Sequence, residues 1–401
     1  MTHTRPAPRT AGAVCALLLA GATGCAGQQE PGPPPTPRNA PPGAVAPATP
    51  GGEPAPRAFT LVAGGDVLPH DSIIRQARVD AGGDGYDFRP MLAGVRPVVS
   101  RAGIAICHME TVYGENGNYT GYPSFKSPPE IAGALAHTGY DSCSTASNHT
   151  LDDGDAGVRR TLDALDRAGV KHAGSARTPE EADEPAWLAA GGAKVAQLAY
   201  TYGTNREPSS GDRPWAVDLI DEQRIVDDAR AARSAGADIV VVSLHWGTEW
   251  QTEPDRRQLE LGRSLTASRT GDRPDIDLIL GTHAHVPQAY EKVNGTWIVY
   301  GMGDQIAGDM INHWGEQDPR GNQGSLARFT FAPPTVPGGR WQVTKAEYVP
   351  QWMDTRAGRV VNLPEAMRRE GPRADYAAAQ KAVTDAVLSR GAAHDGLTMG
   401  R

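Results

Sequence analysis

The chain has 401 residues, with 47 Asp and Glu against 39 Lys and Arg and a formal charge of −8. That balance, with no basic block anywhere, excludes nucleic-acid binding and direct attraction to anionic lipid. A hydrophobic share of 39% supports a proper core, and four cysteines are too few for a disulfide framework.

Arg5 and Arg9 precede a short apolar stretch, residues 11–20, that closes on Ala22-Thr-Gly-Cys25. The pattern predicts a secretory signal over residues 1–25, too short to span a bilayer. The lipobox-like cleavage site makes Cys25 the lipid-bearing first residue of an exported lipoprotein on the outer face of the cell membrane; an ordinary cleaved signal would leave the protein secreted. Residues 26–57 hold eleven prolines and almost no large apolar side chain. Such a segment favours extended polyproline II and buries no core, so it reads as a disordered tether reaching on the order of 100 Å.

The remaining chain alternates strand and helix. Residues 59–64 and 104–107 read as buried strands, 131–137 as a helix and 140–145 as a third strand. Helical spacing of Val158, Leu162 and Leu165 predicts a helix over 153–168 stopped by Gly169. Gly191-Gly192 between 186–190 and 194–201 is a hairpin signature. Helices over 221–235 and 255–267 alternate with strands over 239–244 and 278–280. Residues 296–300, 325–331 and 340–348 look like antiparallel strands, and 374–388, with Tyr376, Val383 and Val387 on one face, like a closing helix. The layout implies an α/β fold with a largely parallel core, a main domain over 58–350 and a C-terminal extension over 351–401. Cys107 and Cys143, near the ends of neighbouring strands, are either a bridge or two buried thiols.

Ligands in such sheets gather beyond the carboxyl ends of strands, and this chain's chemistry falls there. Leu280-Gly-Thr-His-Ala-His-Val-Pro287 ends an apolar strand with two imidazoles one residue apart, which project to one side of an extended backbone. Four other apolar runs end in ligand-type residues: Asp66, with His70 four positions on; Glu110, with His108 two positions before it; the pair Asn148-His149; and His245. Each has a bland reading alone, as a turn residue, a helix cap or a satisfied core histidine. Six of the eleven histidines at such junctions make a polynuclear metal site the better account. Carboxylates can bridge two cations, imidazoles suit borderline metals, and an Asn carbonyl adds an uncharged oxygen.

The ordered set Gly65-Asp66-Val-Leu, Met109-Glu110-Thr, Ser147-Asn148-His149-Thr-Leu-Asp152-Asp-Gly154, Leu244-His245-Trp-Gly-Thr-Glu249 and Gly281-Thr-His283-Ala-His285-Val-Pro-Gln288 closely resembles the CapA family of poly-gamma-glutamate capsule biosynthesis proteins, over about residues 58–308. The resemblance implies a four-layer α/β/β/α metallophosphatase-like sandwich with mixed sheets, and two divalent metal ions (Mn, Fe, Zn or Mg). It implies Asp66 and His285 on one metal, Asn148, His245 and His283 on the other, and Glu110 bridging. His149 would be general acid or oxyanion stabiliser, with Asp152 orienting it or capping the next helix. This chain departs from the pattern at Leu68, where relatives outside the family place a His for which His70 is a substitute, at His108, and at Asp304, a carboxylate where the family has an amide.

Two classes of function follow from the resemblance. One is a metal-dependent hydrolase or transferase acting on an anionic polymer such as poly-gamma-glutamate; the other is a non-catalytic export or assembly subunit working with membrane synthase partners. A phosphoesterase is a third option, against which stands the lack of an obvious basic clamp. Lys126 and Arg320 are candidate contacts for polymer charge, with Glu249 beside them in the substrate site. Trp246, Trp250 and Trp314 are candidate cleft walls or core residues.

Overall fold

The computed structural model describes residues 55–206, 213–336, 338–371 and 373–401. The expected signal segment with Cys25, and all but the end of the expected tether, lie outside the described residues. β1 (Phe59–Leu68) leads through α1 (Asp71–Asp80) to β2 (Ile104–Met109), α2 (Glu130–Thr138), β3 (Ser142–Ser144), α3 (Gly154–Ala168) and β4 (Lys171–Ala173). These four strands lie parallel in that order. The hairpin of β5 (Ala186–Ala190) and β6 (Ala193–Thr201) opens a second sheet, continued by α4 (Glu222–Ser234), β7 (Ile239–His245), α5 (Arg256–Ala267), β8 (Leu278–Thr282), β9 (Tyr290–Val293) and β10 (Thr296–Val299). Its order is β9-β10-β8-β7-β6-β5, parallel in the middle with a hairpin at each edge.

The chain then returns to the first sheet. β11 (Asp304–Ala307) runs parallel beside the carboxyl half of β1, and β12 (Gln323–Ala332) antiparallel beside its amino half. β13 (Gln342–Asp354) and β14 (Arg359–Asn362) widen that edge; after α6 (Leu363–Glu370) and α7 (Ala374–Leu388), β15 (Leu397–Met399) pairs with β13.

Strand alternation explains the layering. Leu61, Ala63, Ile104 and Ile106 of the first sheet meet Val195, Val241, Leu278 and Leu280 of the second in one apolar cluster. The intervening residues face outward, yet are equally buried: Val62, Ala105 and Met109 against Ile73, Leu135 and Leu162 of the helices, and Val240, Val242 and Ile279 against Ile225, Ala229 and Leu265. A parallel strand covered on both faces needs a near-continuous apolar run, as these have. The result is the expected mixed four-layer α/β/β/α arrangement. Among the described residues no helix is long and apolar enough to cross a membrane.

Three details differ from the sequence reading. β9 was not anticipated, although Asn294-Gly295, with φ of 52° and 82°, is the turn pair that a tight hairpin demands. β10 is antiparallel to β9 but parallel to β8, so only one of its neighbours matches the expectation. The boundary expected at 350 falls inside β13, and β14 and β15 beyond it pair into the first sheet.

Cys107 and Cys143 face each other across β2 and β3 and are joined by a disulfide, which decides between the two alternatives. It closes a loop with a sequence separation of 36. Cys143→Ala is expected to lower stability by about 4 kcal/mol in urea unfolding without reductant. With reductant in both samples, the gap to wild type should shrink to about 1 kcal/mol.

Candidate metal centre

The carboxyl ends of β1, β2, β3, β7 and β8 deliver their polar residues to one place. Asp66 sits where the register of β1 against β2 shifts between Ala63 and Asp66. Such a bulge re-aims a side chain, and Gly64-Gly65 make it possible: a Cβ on Gly65 would collide with the Gly303 carbonyl, which accepts from the Asp66 N–H at 3.1 Å. Glu110 follows β2 directly, His245 ends β7, and His283 follows β8. Gly281 plays the same part in β8, since any side chain there would strike the Tyr300 carbonyl.

His283 and His285 converge by a route other than the expected one. Both lie beyond β8, with φ of 92° and 58°, in the left-handed region. Strand alternation therefore does not align them; two successive departures from extended backbone do, at a cost in strain that function-bearing sites characteristically carry. The His283 N–H donates to Asp66 Oδ2 at 3.1 Å, pinning the turn to β1.

The result is a dense cluster. Glu110 Oε1, from the first sheet, lies 3.9 Å from both His245 Nε2 and His285 Nε2 of the second. Asp66 is 3.8 Å from His108 Nε2 and 3.7 Å from His285 Nδ1. Asn148 Oδ1 is 2.8 Å from His245 Nε2. Several imidazoles are held by one ring nitrogen: His108 Nδ1 by Ser144 Oγ at 2.8 Å, His245 Nδ1 by Thr282 Oγ1 at 3.1 Å, His285 Nδ1 by Asp304 Oδ1 at 3.0 Å. This leaves each Nε2 aimed inward, the arrangement by which outer partners orient ligand histidines. Three overlapping groups have donor atoms within 4.8 Å of one another: Asp66, His108 and His245; Asp66, His285 and Asp304; and Glu249, His283 and His285.

Residues 60–309 match the model of the family described as bacterial capsule synthesis protein PGA_cap. The chain belongs to that family. It is 26% identical over 184 residues to the capsule biosynthesis protein CapA of Bacillus anthracis, covering 44% of this chain and 42% of that protein. It is 27% identical over 178 residues to the PGA biosynthesis protein CapA of Bacillus subtilis, covering 44% and 45%. The aligned parts thus span less than half the length of these curated relatives. Among solved structures, the calcineurin-like phosphoesterase YfkN from Bacillus subtilis overlaps 81% of this chain and 99% of its own, with 12% identity and a TM-score of 0.39.

Within this family member the donor set fits divalent cations on an observation of its own. Asp66, Glu110 and Asp304 are 0% exposed. Asp66 Oδ1, both Glu110 oxygens, Asp304 Oδ2, His108 Nε2 and His283 Nδ1 are buried without a hydrogen-bond partner. Native proteins rarely leave such atoms unsatisfied, and mixed carboxylate, imidazole and amide donors suit Zn, Mn or Fe. Burial, with the charge of Asp304, holds the Asp66 carboxyl well above the usual range, and burial does the same to Glu110. Burial and neighbouring imidazoles hold His245 and His283 well below the ordinary value, and burial brings His108 down to about 3. Burial alone would lower His285 too, but the carboxylates of Asp304, Glu110 and Asp66 outweigh it and hold the imidazole well above.

Other expected site residues are placed as follows. His149 Nδ1 and Asp152 Oδ2 are 2.6 Å apart, and Asp152 also accepts from the Phe125 N–H at 2.7 Å. Asp152 thus orients His149, while the cap of α3 is Asp153. His70 is not brought into the cluster: Nδ1 takes the Gly308 N–H at 3.1 Å and the ring abuts Phe125. Lys126 lines a shallow depression with Asp152 and the exposed Arg206. The Arg320 guanidinium is occupied by Asp318 through two bonds of 3.0 and 2.6 Å. Glu249 is grouped with His283 and His285 as a further potential ligand. Trp246 is buried core stacked on Tyr300, Trp250 lies near His285, and Trp314 is 70% exposed.

Two residues escaped the sequence reading. The Tyr202 ring lies 4.5 Å from His283, and Asn205 Nδ2 lies 3.4 Å from His149 Nδ1, with the Asn205 N–H donating to the Asn148 carbonyl. Both follow β6, whose carboxyl end adjoins that of β7; Tyr202-Gly-Thr-Asn205 carried the same strand-end signal as the others.

The raised carboxyls keep protons in the folded state where the unfolded chain has lost them, so cation-free stability falls as pH climbs from about 4 through their raised values. The depressed imidazoles act in reverse, costing stability as pH drops from about 6.5 toward their lowered values. Calorimetric titration with Zn²⁺ or Mn²⁺ near neutral pH, in buffers of differing ionisation enthalpy, is expected to release at least one proton per chain. Affinity should grow with pH. Binding without proton release contradicts this electrostatic picture.

Proposed function

We propose that this protein is a metal-dependent hydrolase or transferase acting on an anionic glutamate polymer in capsule synthesis, held outside the cell membrane by a lipid on Cys25 and the proline-rich tether. The family supports the polymer, and the buried convergence of Asp66, Glu110, His245, His283 and His285 with unpaired atoms carries the chemistry. Bound divalent ions supply Lewis acidity and an activated water near neutral pH.

The chain's own groups do the rest. Glu110, 3.9 Å from both His245 and His285, would be shared between the cations; Asp66 and His285 would hold one, and Asn148, His245 and His283 the other. Asp304 fixes His285 in the tautomer that presents Nε2. His149 stands at the rim beside the ligand Asn148, and Asp152 engages its Nδ1, so Nε2 is the nitrogen that gives a proton to the departing amide nitrogen. Lys126 and Arg206 line the same side and offer local positive charge to polymer carboxylates that an acidic protein otherwise repels.

His283→Ala is expected to lose metal, by elemental analysis, together with cleavage of poly-gamma-glutamate, read as chain length; intact metal stoichiometry with full turnover sinks the assignment. His149→Ala should keep its metal, lose about 10²- to 10⁴-fold in kcat and lose one limb of the pH profile. Lys126→Ala and Arg206→Ala should each raise KM a few-fold with little change in kcat. A fully loaded wild type that turns over neither amide nor phosphate substrates favours the assembly subunit instead, and turnover of phosphate esters alone favours the phosphoesterase.

A further inference from the structure

His108 is the one imidazole of the cluster to which the proposed reaction gives no part. It lies on β2 two residues before Glu110, at a position where the chain departs from the family pattern. The residue is 1% exposed, its ring stacks on His245 with centroids 4.7 Å apart, and the strand register sets it beside Ser144 of β3.

Ser144 decides which ring nitrogen carries the proton. Its hydroxyl donates to the Cys107 carbonyl at 3.4 Å, so the Ser144 oxygen is left to accept from His108 Nδ1 at 2.8 Å. With the proton on Nδ1, Nε2 presents a bare lone pair. That nitrogen is buried without a hydrogen-bond partner, and so is Asp66 Oδ1, 3.8 Å from it. The gap is too wide for a hydrogen bond, and in this tautomer Nε2 has no proton to give a carboxylate. An apolar side chain would fill the same space without the cost of the orphaned nitrogen. Metal–donor bonds of about 2.0–2.2 Å let two donors up to about 4.2 Å apart share one ion. His108, Asp66 and His245 each offer a donor atom within 4.8 Å of the other two.

We infer that His108 Nε2 is a direct donor to the cation held by Asp66 and His285, and that this second imidazole makes the position selective for a borderline ion such as Zn²⁺ over Mg²⁺. The inference rests on the metal centre of the proposed function but not on its polymer or its reaction.

Zn²⁺ and Mg²⁺ titrated separately into the metal-free full chain by calorimetry, wild type beside His108→Asn, test this. Asparagine keeps an oxygen donor and removes the imidazole. Zn²⁺ affinity at this position is expected to fall at least about tenfold while that for Mg²⁺ changes little, so the Zn²⁺/Mg²⁺ ratio drops. Equal weakening of both ions would mean that His108 only holds the pocket in shape, and unchanged affinities that water fills the gap; either result overturns the inference. A wild type that takes up no divalent ion overturns it together with the metal-dependent reading, whereas a loaded wild type with an unaffected variant overturns it alone. Should His108→Asn fail to fold, Ser144→Ala decides: it keeps the imidazole but removes the Nδ1 partner, and Zn²⁺ should bind about tenfold more weakly.

Discussion

Three carboxylates, Asp66, Glu110 and Asp304, are buried in one pocket where, among the described residues, only histidines come within salt-bridge distance of them. Like charges at this proximity cannot all ionise unless something positive stands among them. Much of the surrounding architecture is a means of holding them there: the bulge in β1, the close approach of Gly303 to Gly65, and the left-handed turn after β8. The positive φ at His283 and His285 costs folding energy, and all three features fit the scaffold of a cation site.

The two sheets divide the labour. Asp66, His108, Glu110 and Asn148 come from the first sheet's parallel strands, His245, His283 and His285 from the second's. Neither half holds a complete donor set. The apolar layer between the sheets, from Leu61 and Ile106 to Val241 and Leu280, therefore fixes not just stability but the distance across which Glu110 reaches two imidazoles. A repacked interior that spread the sheets apart would dismantle the centre without touching a ligand.

Much of this was readable beforehand because strand ends announce themselves: an apolar run closing on a ligand-type residue recurs five times in the chain, twice with a glycine between them. The four layers were legible in outline from the alternation of strands with helices. What escaped lacks a periodic signature. Residues 351–401 read as an appendage because β14 and β15 are short and their pairing with β13 is non-local. Tyr202 and Asn205 carry the strand-end signal but no carboxylate or imidazole beside it, unlike Asn148, which His149 follows directly. The His283–His285 pair converges through positive φ rather than strand alternation, and positive φ at a histidine is not written in any pattern of hydrophobicity. His70 and Arg320 show what residue type alone does not reveal: His70 Nδ1 is taken by the Gly308 N–H, and the Arg320 guanidinium by Asp318.

The strained turn carrying His283 and His285 has an evolutionary corollary. Glycine at either position would relax the backbone, so a laboratory selection for heat resistance alone would discard these imidazoles early, yielding a hardier and chemically silent shell. Persistence of both histidines in a lineage would then mark continued use of the centre, independent of any knowledge of what it acts upon.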